Sequence, residues 1–249
     1  MPDKPFLDAG FWRLHLALPL VLFVLLLGVV EFAGVDFLLA NMLFDAGAGA
    51  FPARDSYLFK HVFHDLGNRL ILCIALGAFA VFLLGFFVHR LRSLRRAAIY
   101  VAICIGLAAA LAAVAKQTTN MDCPWSLERY GGERPYVSLL SDRPDVLPRG
   151  ACFPGAHSVG AFALFAFYFV WHRSNPRRAG AALSGATLLG IMYAGTQWAR
   201  GAHFVSHDIW SALLAWLVCL ACYLLFSTRL WPEAIAGSGD QPALVSGTT

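Results

Sequence analysis

Six blocks of apolar residues, each about as long as a bilayer-crossing helix, constrain this chain more than any other feature. They fall at residues 14–33, 70–88, 97–115, 154–171, 180–198 and 209–226. A helix needs roughly 17–25 apolar residues to cross the hydrocarbon layer, and in that layer every backbone polar group must be satisfied within the segment. The spacing therefore predicts an all-α membrane protein with six transmembrane helices in one bundle. Composition agrees: 59% of the 249 residues are hydrophobic and 14% are charged, where soluble domains carry about a quarter charged residues. A single membrane domain over residues 1–235 is expected, followed by a small, polar, disordered tail at 236–249. The first block follows Lys4 and Arg13. Its length, and the lack of a small-residue cleavage site, read as a retained anchor rather than a signal peptide.

The placement of charge predicts orientation. The loop "HRLRSLRR" after the second block holds four arginines, and "HRSNPRR" after the fourth holds three; neither holds an acid. Basic short loops stay in the cytoplasm. Both termini are then cytoplasmic, and three segments face the opposite side, the periplasm if the membrane is a bacterial inner membrane. The first of these contains "GVDFLLANMLFDAGAG", which is too short to span and reads as an interfacial helix. In the same segment "KHVFHD" spaces His61 and His64 like metal ligands, but a solvated interfacial helix is the simpler reading. Trp125, Trp198 and Trp210 fall near the boundary and read as an aromatic belt.

The outer segments also collect the chemistry. Lys116 closes the third block. Gly155, Ala156, His157 and Ser158 open the fourth, and Arg200, His203, His207 and Asp208 precede the sixth. Arg129 and Arg134 lie in the loop between the third and fourth. Titratable groups at the hydrocarbon boundary are costly and mark function. Cations and a helix N-terminus suit a polyoxygen anion. Two histidines can divide the roles of nucleophile and proton donor, and a carboxylate can orient one of them. This is the equipment for phosphoryl transfer with no metal and no cofactor. Cys123 and Cys152 lie in one outer loop, where a disulfide is permitted. Cys73, Cys104, Cys219 and Cys222 read as buried small apolar residues.

Three stretches resemble the signature motifs of the type 2 phosphatidic acid phosphatase superfamily. "KQTTNMDCPW" has Lys116, six residues, then Cys123-Pro124, where the family has Lys, six residues, then Arg-Pro. "PGAHS" stands for Pro-Ser-Gly-His-Ser. "QWARGAHFVSH" has Gln197, His203 and His207 where the family has Arg, His and Asp. "TTNMDCPWSLERYGGERPY" is similar to a subgroup of bacterial membrane phosphatases with Cys-Pro-Trp in place of Arg-Pro. The resemblance implies that Lys116 binds phosphate, that His157 is the general acid and that His203 is a nucleophile forming a phosphohistidine. Arg200 could stand in for the arginine lost at Gln197, and Arg129 or Arg134 for that lost at Cys123. His207 or Asp208 would orient His203, while Ser158 and the Gly155–Ala156 backbone would hold phosphate oxygens. The implied substrate is a membrane lipid bearing phosphate: lipid A phosphate, polyprenyl diphosphate, phosphatidylglycerol phosphate or phosphatidic acid. No nucleic-acid partner is expected. Two other readings use the same residues: a carrier or binding protein for a phosphorylated lipid or anion, and a haem-binding membrane protein.

Overall fold

In the computed structural model, residues 7–138 and 141–230 are described; the tail expected at 236–249 lies outside them. Seven principal helices occur: α1 (Ala9–Phe32), α2 (Val35–Leu43), α3 (Leu58–Leu84), α4 (Arg95–Thr118), α5 (Ala156–Trp171), α6 (Pro176–Ala199) and α7 (Val205–Leu230). The described residues form no strand. Five helices (α1, α3, α4, α6 and α7) are long and apolar enough to cross a membrane. Their outward faces carry exposed Leu, Val and Phe, such as Val24, Leu72, Val114 and Leu188, which suits hydrocarbon rather than water.

The fourth block forms a shorter helix than expected. α5 has 16 residues and tightens to a 3-10 turn over Ala163–Phe165. No residue of α5 is exposed. It packs against α3, α4, α6 and α7, and Ala161, Ala163 and Ala166 let neighbouring helices approach closely. Gly190 of α6 lies against the Phe162 ring, where a Cβ would come within 2.1 Å. α5 is thus the centre of the bundle, and the "PGAHS" motif forms its outer tip.

α3 begins twelve residues before its apolar block. Its first turns, Leu58–Leu66, are a widened π-type helix carrying Lys60, His61, His64 and Asp65 among Leu58, Val62 and Leu66. This amphipathic turn is continuous with the span, so "KHVFHD" lies at its mouth.

Local signals explain the boundaries. Gly34, at φ +60°, turns the chain between α1 and α2. Asn175 caps α6 by accepting from the Arg178 N–H at 3.0 Å, with Pro176 in the first turn. The start of α7 is capped from a distance: Asp36 of α2 accepts from the Ser206 N–H at 2.9 Å and from its hydroxyl at 2.5 Å. Burial pushes the Asp36 carboxyl above its usual range, while the Ser206 bonds pull the other way.

The loop between α4 and α5 folds back on itself. Cys152 N–H donates to Met121 O at 3.0 Å, and Cys123 and Cys152 form a disulfide with Cα atoms 5.2 Å apart. Reduction, or a Cys123→Ala/Cys152→Ala double variant, is expected to cost about 3–4 kcal/mol of stability from the freed loop. Thermal melting with and without reductant reads this directly; identical curves would mean the crosslink contributes nothing.

Candidate active site

The three motif stretches meet at one end of the bundle, held by backbone bonds. Trp125 N–H donates to Gly201 O at 2.9 Å, joining "CPW" to "RGAHF". The Thr119 hydroxyl donates to Phe153 O at 2.9 Å and Lys116 Nζ to Ala151 O at 3.2 Å, joining the end of α4 to the approach to α5. Gly201, at φ +68°, turns the chain into the "AHF" segment, and its position against the Phe51 ring leaves no room for a Cβ.

Asp208 is fully enclosed. One oxygen accepts from the Ser158 hydroxyl and the other from Trp198 Nε1 at 2.7 Å. Gly155 lies against this pair: a Cβ there would come within 2.2 Å of the carboxylate and 2.7 Å of the Ser158 oxygen. The Gly155 carbonyl accepts from Ser158 at 2.8 Å and from Ser211 at 3.2 Å. The second and third motifs are therefore locked together through Gly155, Ser158 and Asp208. No hydrogen bond joins Asp208 to His203.

His203 and His207 are buried, with ring centroids 5.8 Å apart. His203 Nδ1 and both His207 ring nitrogens have no hydrogen-bond partner. Burial holds the His203 imidazole well below its ordinary range, and the nearby His207 and Lys116 charges act in the same direction. A neutral imidazole with a free ring nitrogen is a competent nucleophile or proton acceptor at neutral pH. Lys116 is within electrostatic reach of His203, His207 and Asp208.

His157 faces α3. Its Nδ1 is 2.7 Å from Asn68 Oδ1 and its Nε2 is 3.2 Å from Phe63 O. An imidazolium satisfies both acceptors, whereas a neutral ring satisfies one. The ring is stacked between His64 at 4.7 Å and Tyr193 at 4.6 Å. His157 is within electrostatic reach of His203 and Arg200. Arg200 is buried; its Nη1 donates to Gln197 Oε1 at 3.2 Å, so the residue in the lost arginine's place supports the neighbouring one.

The two loop arginines are engaged elsewhere. Arg134 pairs with Asp122, which also takes Arg143 at 2.6 Å. Arg129 lies over the Phe37 ring at 5.0 Å. Asn68, His64 and Trp198 are site neighbours that sequence reasoning missed. Trp198 read as belt, and "KHVFHD" as a solvated helix; the helical period of residues 58–66, carried into the next span, was the available signal. Among the described residues, no group of three or more His, Cys, Asp or Glu could hold a metal ion.

The cavity bordering His203, walled partly by Asp36, Pro124 and Trp198, has a volume of about 10 Å³. That is water-sized.

The PAP2 superfamily model matches residues 97–231, which include all three motif stretches. The chain belongs to the PAP2 superfamily. No curated protein and no solved structure matches it. PAP2 membership supports phosphatase activity on a phosphate-bearing substrate, and the apolar helices fit a bilayer as its setting. Within this PAP2 chain, Lys116, Ser158, His203 and Asp208 are gathered at one end of the bundle. Arg129 and Arg134 are turned to partners of their own.

Proposed function

We propose that this protein is a metal-independent membrane lipid phosphatase or phosphotransferase working through a phosphohistidine. The observation that carries the reading is the buried His203, whose Nδ1 has no hydrogen-bond partner and which lies within the field of Lys116, together with a second histidine whose two ring nitrogens face acceptor oxygens. His203 attacks phosphorus and forms a P–N bond as the P–O bond to the lipid breaks. His157 releases Phe63 O, the longer of its two contacts, and gives its proton to the departing oxygen. Water or an acceptor hydroxyl then loses a proton to His157 and attacks the phosphohistidine, freeing His203. Lys116 and Arg200 stabilise the equatorial oxygens, with Ser158 and the Gly155–Ala156 backbone at the tip of α5. Asp208 acts by fixing the tip of α5 on α7, and His207 is the remaining candidate to orient His203.

In this reading α5 counts as the sixth span of a single domain over residues 1–235. α2 lies along the outer interface, and the termini are cytoplasmic. The site opens to the periplasm of a bacterial inner membrane, where a lipid can present its phosphate while its tail stays in the bilayer. The test is to incubate purified protein with phosphatidic acid, phosphatidylglycerol phosphate, polyprenyl diphosphate and lipid A, following release and transfer of phosphate separately. Turnover of at least one lipid is expected, unchanged by a strong chelator and inhibited by vanadate. Binding without turnover of any of them would favour the carrier reading.

A further inference from the structure

With Arg134 and Arg129 committed elsewhere, the guanidinium beside the "CPW" stretch comes from a different part of the chain. Arg54, in the segment before α3, lies over the Trp125 ring with its Cζ 4.8 Å from the centroid. The Arg200 Cζ is 5.9 Å from the same centroid, and Arg200 Nε donates to Arg54 O at 3.2 Å. The Arg54 backbone is pinned: its N–H donates to Phe51 O at 2.9 Å, and Phe51 is 2% exposed against Gly201. Neither arginine forms an ion pair within 4.0 Å among the described residues. Of the acids whose charge Arg200 feels, Asp55 is exposed, and Asp65 has both oxygens engaged by His61 and His64. Two like charges thus lie against one indole ring. The ring attracts each cation, their mutual repulsion remains, and an anion held between them removes it.

We propose that Arg54 is a substrate-binding residue which, with Arg200 and with Trp125 as the floor, forms a two-guanidinium clamp for a second phosphoryl group, favouring diphosphate over monophosphate headgroups. Arg200 is buried and within the field of His157, while Arg54 is exposed. The clamp therefore extends outward from the reacting phosphorus. Each guanidinium offers a planar fork to phosphate oxygens, which a lysine cannot reproduce. The inference deepens the activity proposed above and rests on that reading of the site.

The test is calorimetric binding of pyrophosphate and orthophosphate to the full, detergent-solubilised chain, as wild type, Arg54→Gln and Arg54→Lys. Wild type is expected to bind pyrophosphate more tightly. Arg54→Gln should weaken pyrophosphate at least about tenfold and orthophosphate by less than about threefold, from the loss of charged hydrogen bonds to the outer group alone. Arg54→Lys should fall between, and it carries the test if Arg54→Gln does not fold. Equal weakening of both anions, no weakening, or no preference for pyrophosphate in the wild type would each overturn the clamp. A wild type with the expected binding pattern that releases no phosphate from any lipid would overturn the phosphatase reading and leave the clamp standing.

Discussion

His203→Ala is expected to lower phosphate release by at least about a thousandfold, because no other group can take over the nucleophile's bond to phosphorus. The fold should survive. The lost ring leaves a cavity, but it also removes a buried ring nitrogen that has no partner, and deleting an unsatisfied polar atom returns part of the loss. His157→Ala is expected to cost about 10²–10⁴-fold, the usual worth of a positioned proton donor. The two variants should separate by leaving group. A phosphate ester with an acidic leaving group, such as p-nitrophenol, needs no proton, so His157→Ala should recover much of its rate there and His203→Ala none. Trapping by acid-free quench should find a phosphohistidine in wild type and none in His203→Ala. Wild-type turnover in the His203→Ala/His157→Ala double variant would end this mechanism.

Gly155→Ala is the second large effect. The added methyl meets the Asp208 carboxylate at 2.2 Å and the Ser158 oxygen at 2.7 Å, and both are buried with nowhere to withdraw. Overpacking of this kind costs about 1–3 kcal/mol. If the Ser158–Asp208 bond parts, a buried carboxylate also loses a partner, which raises the cost toward about 3–5 kcal/mol. Because this contact joins the second motif to the third, activity should fall together with the melting temperature. Gly180→Ala is the control. Nothing lies within 4 Å of its Cβ position near the start of α6, so alanine there should be neutral or stabilising by up to about 1 kcal/mol. A Gly155→Ala protein with wild-type melting and wild-type turnover would show that the lock between α5 and α7 has no role in the site.

Particular residues show how far sequence reasoning reached. Five of the six apolar blocks correspond to long apolar helices, since a run of apolar residues is a local property that composition reports directly. α5 departs because it is surrounded by protein: a helix wrapped by four others is shaped by small residues and close packing. The start of α3 departs for the opposite reason. Residues 58–66 mix charge with leucine and valine, so averaged hydropathy dilutes them while helical periodicity keeps them in the helix. Trp198 has the composition of a belt residue, and only the position of the Asp208 carboxylate assigns its indole N–H. Arg129 and Arg134 were as plausible as any loop cation until Phe37 and Asp122 claimed them. Arg54 carried no motif and no spacing signal at all.

The sequence by itself determined that this chain forms apolar helices long enough for a membrane, and that its histidines, lysine and arginines fall at helix ends where phosphoryl chemistry has its tools. Only the tertiary structure decided who partners whom: Asp208 with Ser158 and Trp198, His157 with Asn68, Arg200 and Arg54 with Trp125. The reason is physical. Helix formation and burial follow from neighbours a few residues apart, whereas a hydrogen bond or a shared charge depends on ångström distances between groups as many as 201 residues apart, and those exist only once the bundle has packed.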